Sequence, residues 1–211
     1  MWVEKTPLNE RHVRRFSDLP EARFIHVVRE PQATLASLLA RYRAADARQI
    51  HLSEQAQSIR QSLQLAHANA RRLGAPHYLV VRYEDLVDDP AHEIERVRAF
   101  LGITAHASLR TPTVAGQPVR SNSAFEPSAA GAIQRRAATA ALSLPESGLI
   151  ATVSAAPARR LGYGIAPPSA SRACAIWLRH WAALGLRRVA TRISRAIGAA
   201  RRGPRHTQGD Q

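Results

Sequence analysis

Arg29 and Ser37 stand eight residues apart, where a strand-like run passes into a helix-like one. An arginine just past the C-terminal end of a strand lies in the crevice where open α/β sheets bind ligands. Its guanidinium is a planar fork that matches phosphate or sulfate oxygens. The helix that follows turns its N-terminus to the same place, with free N–H groups and a positive partial charge. Ser37, two turns into that helix, can add a hydroxyl hydrogen bond to an anion held by Arg29. The same spacing also suits a structural pair, with Arg29 on a carboxylate such as Glu30 or Asp85 and Ser37 as filler.

Lys5, in "WVEKTP", is the second candidate. The chain has 30 Lys and Arg residues, and Lys5 is the single lysine among them. An ammonium is a compact point charge that can sit among crowded oxygens without the fork geometry of arginine. A site needing that shape could hold a lysine against a bias toward arginine; chance is the other account. Glu4 and His12 are the nearby acid–base candidates.

These residues must be positioned by elements that the pattern makes legible. Residues 8–19 are spaced for one helical face through Leu8, Val13, Phe16 and Leu19. "ARFIHVV" (22–28) reads as a buried strand. Pro31 suits the first turn of a helix with Leu35, Leu38, Leu39 and Tyr42 as its stripe. A longer polar helix is expected over about 52–73, closed by Gly74. "HYLVVRY" (77–83) is the second strand. Asp89, Pro90 and Gly102 mark the cap, first residue and stop of another helix, with Ile94, Val97, Phe100 and Leu101 inward. Residues 103–130 are loop-rich, "LSLPESGLIATV" (142–153) predicts a short helix, and "LGYG" (161–164) ends the compact part. Alternating strands and helices with apolar strands predict an α/β fold on a parallel sheet.

The composition changes after "GIAPPSAS". Residues 171–202 are arginine-rich, with Trp177, Leu178, Trp181, Leu184, Leu186, Val189, Ile193 and Ile197 interleaved. The spacing predicts a basic amphipathic helix or a broken pair. The domain division is therefore 1–165 for the α/β unit and 166–211 for a helical extension and polar tail.

The formal net charge of +14 favours anionic partners, although an Arg-rich coding bias accounts for such a balance equally well. The single cysteine, Cys174, excludes an internal disulfide scaffold and a Cys-based metal cluster. With no apolar leader core and no apolar run long enough to span a bilayer, a cytoplasmic chain is expected, with peripheral membrane contact through 171–202. No base-reading motif points to specific nucleic-acid binding.

Four pieces then stand in order: "EKTP" (4–7), "VVREPQATLAS" (27–37), "VVRYEDLVDDP" (80–90) with "FLG" (100–102), and "RLGYG" (160–164). Together they resemble the PAPS-dependent sulfotransferases, the group with bacterial, glycan-modifying and tyrosine-modifying members, over about residues 2–165. The resemblance implies a three-layer, P-loop-NTPase-like parallel sheet. It implies transfer of a sulfuryl group from 3′-phosphoadenylyl sulfate (PAPS) to a hydroxyl or amine acceptor, without a metal. It gives Arg29 and Ser37 the 3′-phosphate of the donor and sets Tyr83 and Ser123 near the same nucleotide. Lys5 and Thr6 then line the space between donor and acceptor, with Lys5 as the catalytic candidate.

Two features of the resembling family are not matched. Its members carry a strand and a 5′-phosphosulfate-gripping loop upstream of the first motif, whereas this sequence starts at Met1. Many also carry a basic, Gly- and Trp-containing lid where this chain has "GAIQRRAATAALS" (131–143), with Arg135 and Arg136 but no Trp. The expectation is a truncated chain that holds the far phosphate and transfers nothing. The alternatives are a degenerate nucleotide-binding remnant and a basic protein acting at an anionic membrane or nucleic acid through 171–206. The acceptor is not legible.

Overall fold

The computed structural model describes residues 3–16, 19, 21–44, 51–114, 116–119, 130, 131, 133 and 141–201, without the side chains of 44, 187, 188 and 190–201. Strand β1 (Phe24–Val28) is followed by helix α1 (Pro31–Ala44) and helix α2 (Leu52–Leu73). Strand β2 (Tyr78–Arg82) then leads into the short helix α3 (Tyr83–Asp88) and helix α4 (Pro90–Leu101). A small hairpin, β3 (Thr113–Val114) and β4 (Gln117–Pro118), precedes the helices α5 (Leu144–Arg159) and α6 (Ala170–Arg201).

β1 and β2 pair in parallel, in the register Phe24↔Tyr78 to Val28↔Arg82. The helical connection between them is what a parallel pair requires. A two-stranded sheet has little stability alone, so its helices must supply the core. α2 packs on both strands and on α5, which also meets α1. Leu35, Leu39, Ile59, Leu63, Ile150 and Val153 form this core. The helix expected to be merely polar is thus central, because Ala56, Ile59, Leu63, Ala66 and Asn69 recur on one face and are all buried.

The helix starts and stops follow local chemistry. Asp89 accepts the N–H of His92 at 3.0 Å, Pro90 follows it, and Gly102 ends α4 in the left-handed region. α5 opens on a capping box of Ser143 and Glu146 and runs six residues past the predicted end. Its extra turns are paid for by burial, since Ser154, Ala155, Pro157 and Ala158 all lie in the core face.

Three expectations are corrected. Within the described part of 8–19 the chain forms two 3₁₀ turns, Asn9–Arg11 and Val13–Arg15, not an α-helix. Of the proposed stripe only Val13 is buried, and a short helix without a buried face is not stable in water. β1 is covered on one face only: Val28 is buried, whereas Ile25 and Val27 are 41% and 53% exposed. The period of two turns these side chains to the opposite face, and among the described residues α4 packs on β2 rather than on β1. In α4 the fully buried residue is Glu93, paired with Arg96 at 2.8 Å, while Ile94, Val97, Phe100 and Leu101 are only half-buried.

α6 is one continuous helix whose first half docks on α5 and α2. Trp177 lies under the Arg60 guanidinium, 5.5 Å from its ring centre, and His180 and Leu184 are buried beside it. No described helix is long and apolar enough to cross a membrane.

Candidate functional site

The polar groups at the C-terminal ends of β1 and β2 form one cluster. Arg29 is the first residue past β1, and Tyr83 is the first past β2. The Val28↔Arg82 register makes them neighbours, and the Arg29 guanidinium lies 4.6 Å from the Tyr83 ring centre. A cation over a phenol face is attracted by the ring quadrupole, which fixes the fork without neutralising it. Among the described residues no carboxylate pairs with Arg29, and its Nε is buried without a hydrogen-bond partner. The structural alternative, Arg29 on Glu30 or Asp85, is therefore not the arrangement found.

Arg82 makes a second stack of the same kind. Its guanidinium lies 4.5 Å from the Tyr163 ring centre, its Nη1 is 3.7 Å from Asp85, and its Nε is also buried and unpartnered. Gly162, at φ +82°, lets the chain turn beside Arg82: a Cβ there would stand 3.4 Å from Arg82 Nη1, in a conformation L residues rarely adopt.

Glu84 ties the cluster together. One carboxylate oxygen accepts the backbone N–H of Glu30 at 2.9 Å, and the other accepts the Tyr163 hydroxyl at 2.8 Å. Burial, and then this hydrogen bond to Glu84, push the Tyr163 phenol well above its ordinary value, against the opposing effect of Arg82. Tyr163 is thus a fixed neutral donor. Three elements far apart in sequence meet here: the start of α1, the start of α3 and the turn after α5.

The N-terminus of α1 is not the open anion site expected from the sequence. Glu30 caps it, taking the Ala33 N–H on its own carboxylate while its carbonyl accepts Thr34 Oγ1 at 2.9 Å. A carboxylate already occupies the positive end of this helix, so an incoming anion would depend on Arg29.

The other expected site residues fare unequally. Ser37 is half-buried on α1, with no hydrogen bond among the described residues. Lys5 is exposed, and no hydrogen bond or ion pair joins it to Arg29, Ser37 or Tyr83. Its neighbour Thr6 donates to Glu4, and the segment is held on α2 by Arg11 to Ser58 at 3.0 Å and Asn69 to the Glu10 carbonyl at 3.0 Å. Ser123, Arg135 and Arg136 lie outside the described residues. Arg82, Glu84 and Tyr163 are the members that residue-level reading passed over. Their signal was present as adjacent letters of "RYEDL" and "LGYG", without a partner to give them a role. No group of three or more His, Cys, Asp or Glu among the described residues could hold a metal.

The family model described as "Sulfotransferase family" matches residues 1–107, a span that takes in Arg29, Ser37, Tyr83 and Glu84. No curated protein matches the chain. Among solved structures it is similar to the sulfotransferase domain from the Synechococcus PCC 7002 olefin synthase, with a TM-score of 0.51 and 23% identity. That match covers 77% of this chain, which spans 58% of the other's length, and the likeness is one of fold. The family match over half of the sequence, centred on the strands that build the Arg29 cluster, makes this chain a member of the sulfotransferase family.

Proposed function

We propose that the Arg29 cluster binds the 3′-phosphate of a PAPS-type donor, with Arg29 as its fork, Ser37 as a hydroxyl donor and Tyr83 as the platform beneath. The observation that carries this reading is an arginine at a strand end, held by an aromatic face, with no ion pair to a carboxylate among the described residues and with a buried unpartnered Nε. A buried polar group without a partner is costly, and a phosphate oxygen removes that cost. The reaction class is sulfuryl transfer to a hydroxyl or amine acceptor, with Ser123 contributing near the nucleotide and Lys5 between donor and acceptor.

The described residues supply the far-phosphate half of such a site. Transfer itself depends on charge placed at the moving sulfuryl group and on a base for the acceptor. Among the described residues the carboxylates beside Arg29, those of Glu30 and Glu84, are already held by backbone N–H groups and by Tyr163, and no hydrogen bond or ion pair brings Lys5 to the cluster. The 211-residue chain is therefore proposed to bind the nucleotide without transferring its sulfuryl group. The test is a pair of titrations, with adenosine 3′,5′-bisphosphate and with adenosine 5′-monophosphate, followed by incubation with labelled donor and a panel of sugar, phenol and amine acceptors. Preference for the bisphosphate with no labelled product agrees with the proposal. Equal binding of the two nucleotides removes the 3′-phosphate assignment, and labelled product abolished by Lys5→Ala removes the inactivity.

A second reading concerns α6. Leu178, Trp181, Leu186 and Val189 are 68%, 43%, 73% and 55% exposed on a helix rich in arginine. Such a face suits the interface of an anionic bilayer. A blue shift of tryptophan emission with phosphatidylserine vesicles, absent with neutral vesicles and lost in Leu178→Glu/Trp181→Glu, tests it.

A further inference from the structure

The last two turns of α2 and the turn after α5 enclose an open groove of about 610 Å³. Its described lining is His67, Ala68, Arg71, Arg72 and Arg160. None of these belongs to the Arg29 cluster. The lining holds three guanidiniums and an imidazole and no carboxylate. Among the described residues neither Arg71, Arg72 nor Arg160 has an ion pair or hydrogen bond.

Ordinary helix electrostatics explain only part of this. Arg71 and Arg72 lie in the last turn of α2, where a cation is favoured by the helix dipole. Arg160 belongs to a different element, and its position is set by other forces. The turn that carries it is closed by bonds from the Gly162 and Tyr163 N–H groups to Arg159 and Ala158, each at 3.1 Å. Tyr163 is anchored in turn by Glu84. The turn thus brings a third cation to the groove that two on α2 also line, and like charges brought together without a counter-charge repel. A bound anion reverses the sign of that interaction.

The lining also narrows the ligand. Ala68 is the one apolar residue of the described lining, unlike the hydrophobic and aromatic walls that hold drug-like molecules. The described lining includes no Phe, Tyr or Trp on which a nucleobase could stack. Arginine forks match tetrahedral oxyanions.

We infer that this groove is a second anion site, for a compact molecule or chain segment bearing two or more phosphate or sulfate groups. It is separate from the nucleotide reading of Arg29 and stands or falls without it.

Calorimetry on the full chain tests it with two probes, inorganic triphosphate and a disulfated disaccharide, which tell a phosphate source from a sulfate one. Arg71→Ala/Arg72→Ala/Arg160→Ala is expected to lower affinity by about tenfold or more, as three partly exposed charge contacts are lost. Arg15→Ala/Arg41→Ala/Arg179→Ala removes the same charge elsewhere and is expected to change it by less than about threefold. Arg160→Ala alone, with melting followed by circular dichroism, shows whether a loss comes from unfolding. Retained affinity on the arginine-to-alanine change at 29 supports a separate groove. Equal losses in the two triple variants, no binding of either probe by the native chain, or loss on changing Arg29 overturns the inference.

Discussion

The same two strands carry two polar groups that end in opposite states. In the interior, His26 Nδ1 is 2.8 Å from the Tyr78 hydroxyl and its Nε2 is 3.0 Å from Ser62 Oγ. Asn69 donates to the same hydroxyl at 3.4 Å. The hydroxyl that accepts from Asn69 can donate to Nδ1, which leaves Nε2–H to donate to Ser62. Every ring nitrogen is used, so the network is closed. A few residues on, Arg29 and Arg82 keep unpartnered Nε atoms above aromatic faces. A satisfied buried network holds the fold together and gives a ligand nothing to do. A buried Nε without a partner at a strand end carries a cost that the closed network does not.

The largest effect expected from this contrast is on the closed group. His26→Ala takes the acceptor from the Tyr78 hydroxyl and the ring partner from Ser62, each costing about 1–3 kcal/mol, so a loss of about 2–6 kcal/mol is predicted. Urea unfolding measures it, and nucleotide affinity should be unchanged at temperatures where the variant is folded. An effect on affinity would merge the two groups into one.

Acid should expose the same contrast. Burial holds His26 below the ordinary histidine value, with a smaller opposing pull from Glu10. The unfolded chain therefore binds a proton more readily than the folded one. Stability is full above the unfolded value of about 6.5 and falls as pH drops from there toward the lowered folded value. His26→Gln should flatten that part of the profile. The slope that remains is assigned to His180, whose value burial and Arg60 also lower. An unchanged slope would show that His26 is not the titrating group.

Tyr163→Phe removes a donor to the Glu84 carboxylate and should cost about 1.5 kcal/mol, read as a shift of the denaturation midpoint. Because Glu84 also holds the Glu30 N–H, this variant should weaken nucleotide binding as well, whereas His26→Ala should not. Asp89→Ala, a cap touching neither group, should cost about 1 kcal/mol and leave binding untouched.

Much of this is legible in the sequence. Pro31, Gly74, Asp89 and Gly102 announce their helix ends because each acts through its own backbone or a neighbour three residues away. The parallel pairing of "FIHVV" and "YLVVR" followed from apolar runs joined by helices. Residues 8–19 misled because the spacing of Leu8, Phe16 and Leu19 says nothing about whether a surface exists to cover them. The capping of α1 by Glu30 was hidden for a related reason. The same carboxylate could have met Arg29, and only the geometry decides between the two. Arg29 was found through a motif, but its setting on Tyr83 depends on a register between strands more than 50 residues apart. Glu84 and Tyr163, 79 residues apart, show no sequence signal of their contact.

The most direct test is calorimetric titration of adenosine 3′,5′-bisphosphate into the native chain and into Arg29→Ala. Loss of one charge-assisted contact costs about 1.5–3 kcal/mol, a drop in affinity of about 10- to 150-fold, and the denaturation midpoint should barely move. Equal affinities for the two forms, or a midpoint that falls while affinity holds, would show that Arg29 serves the fold and not a ligand.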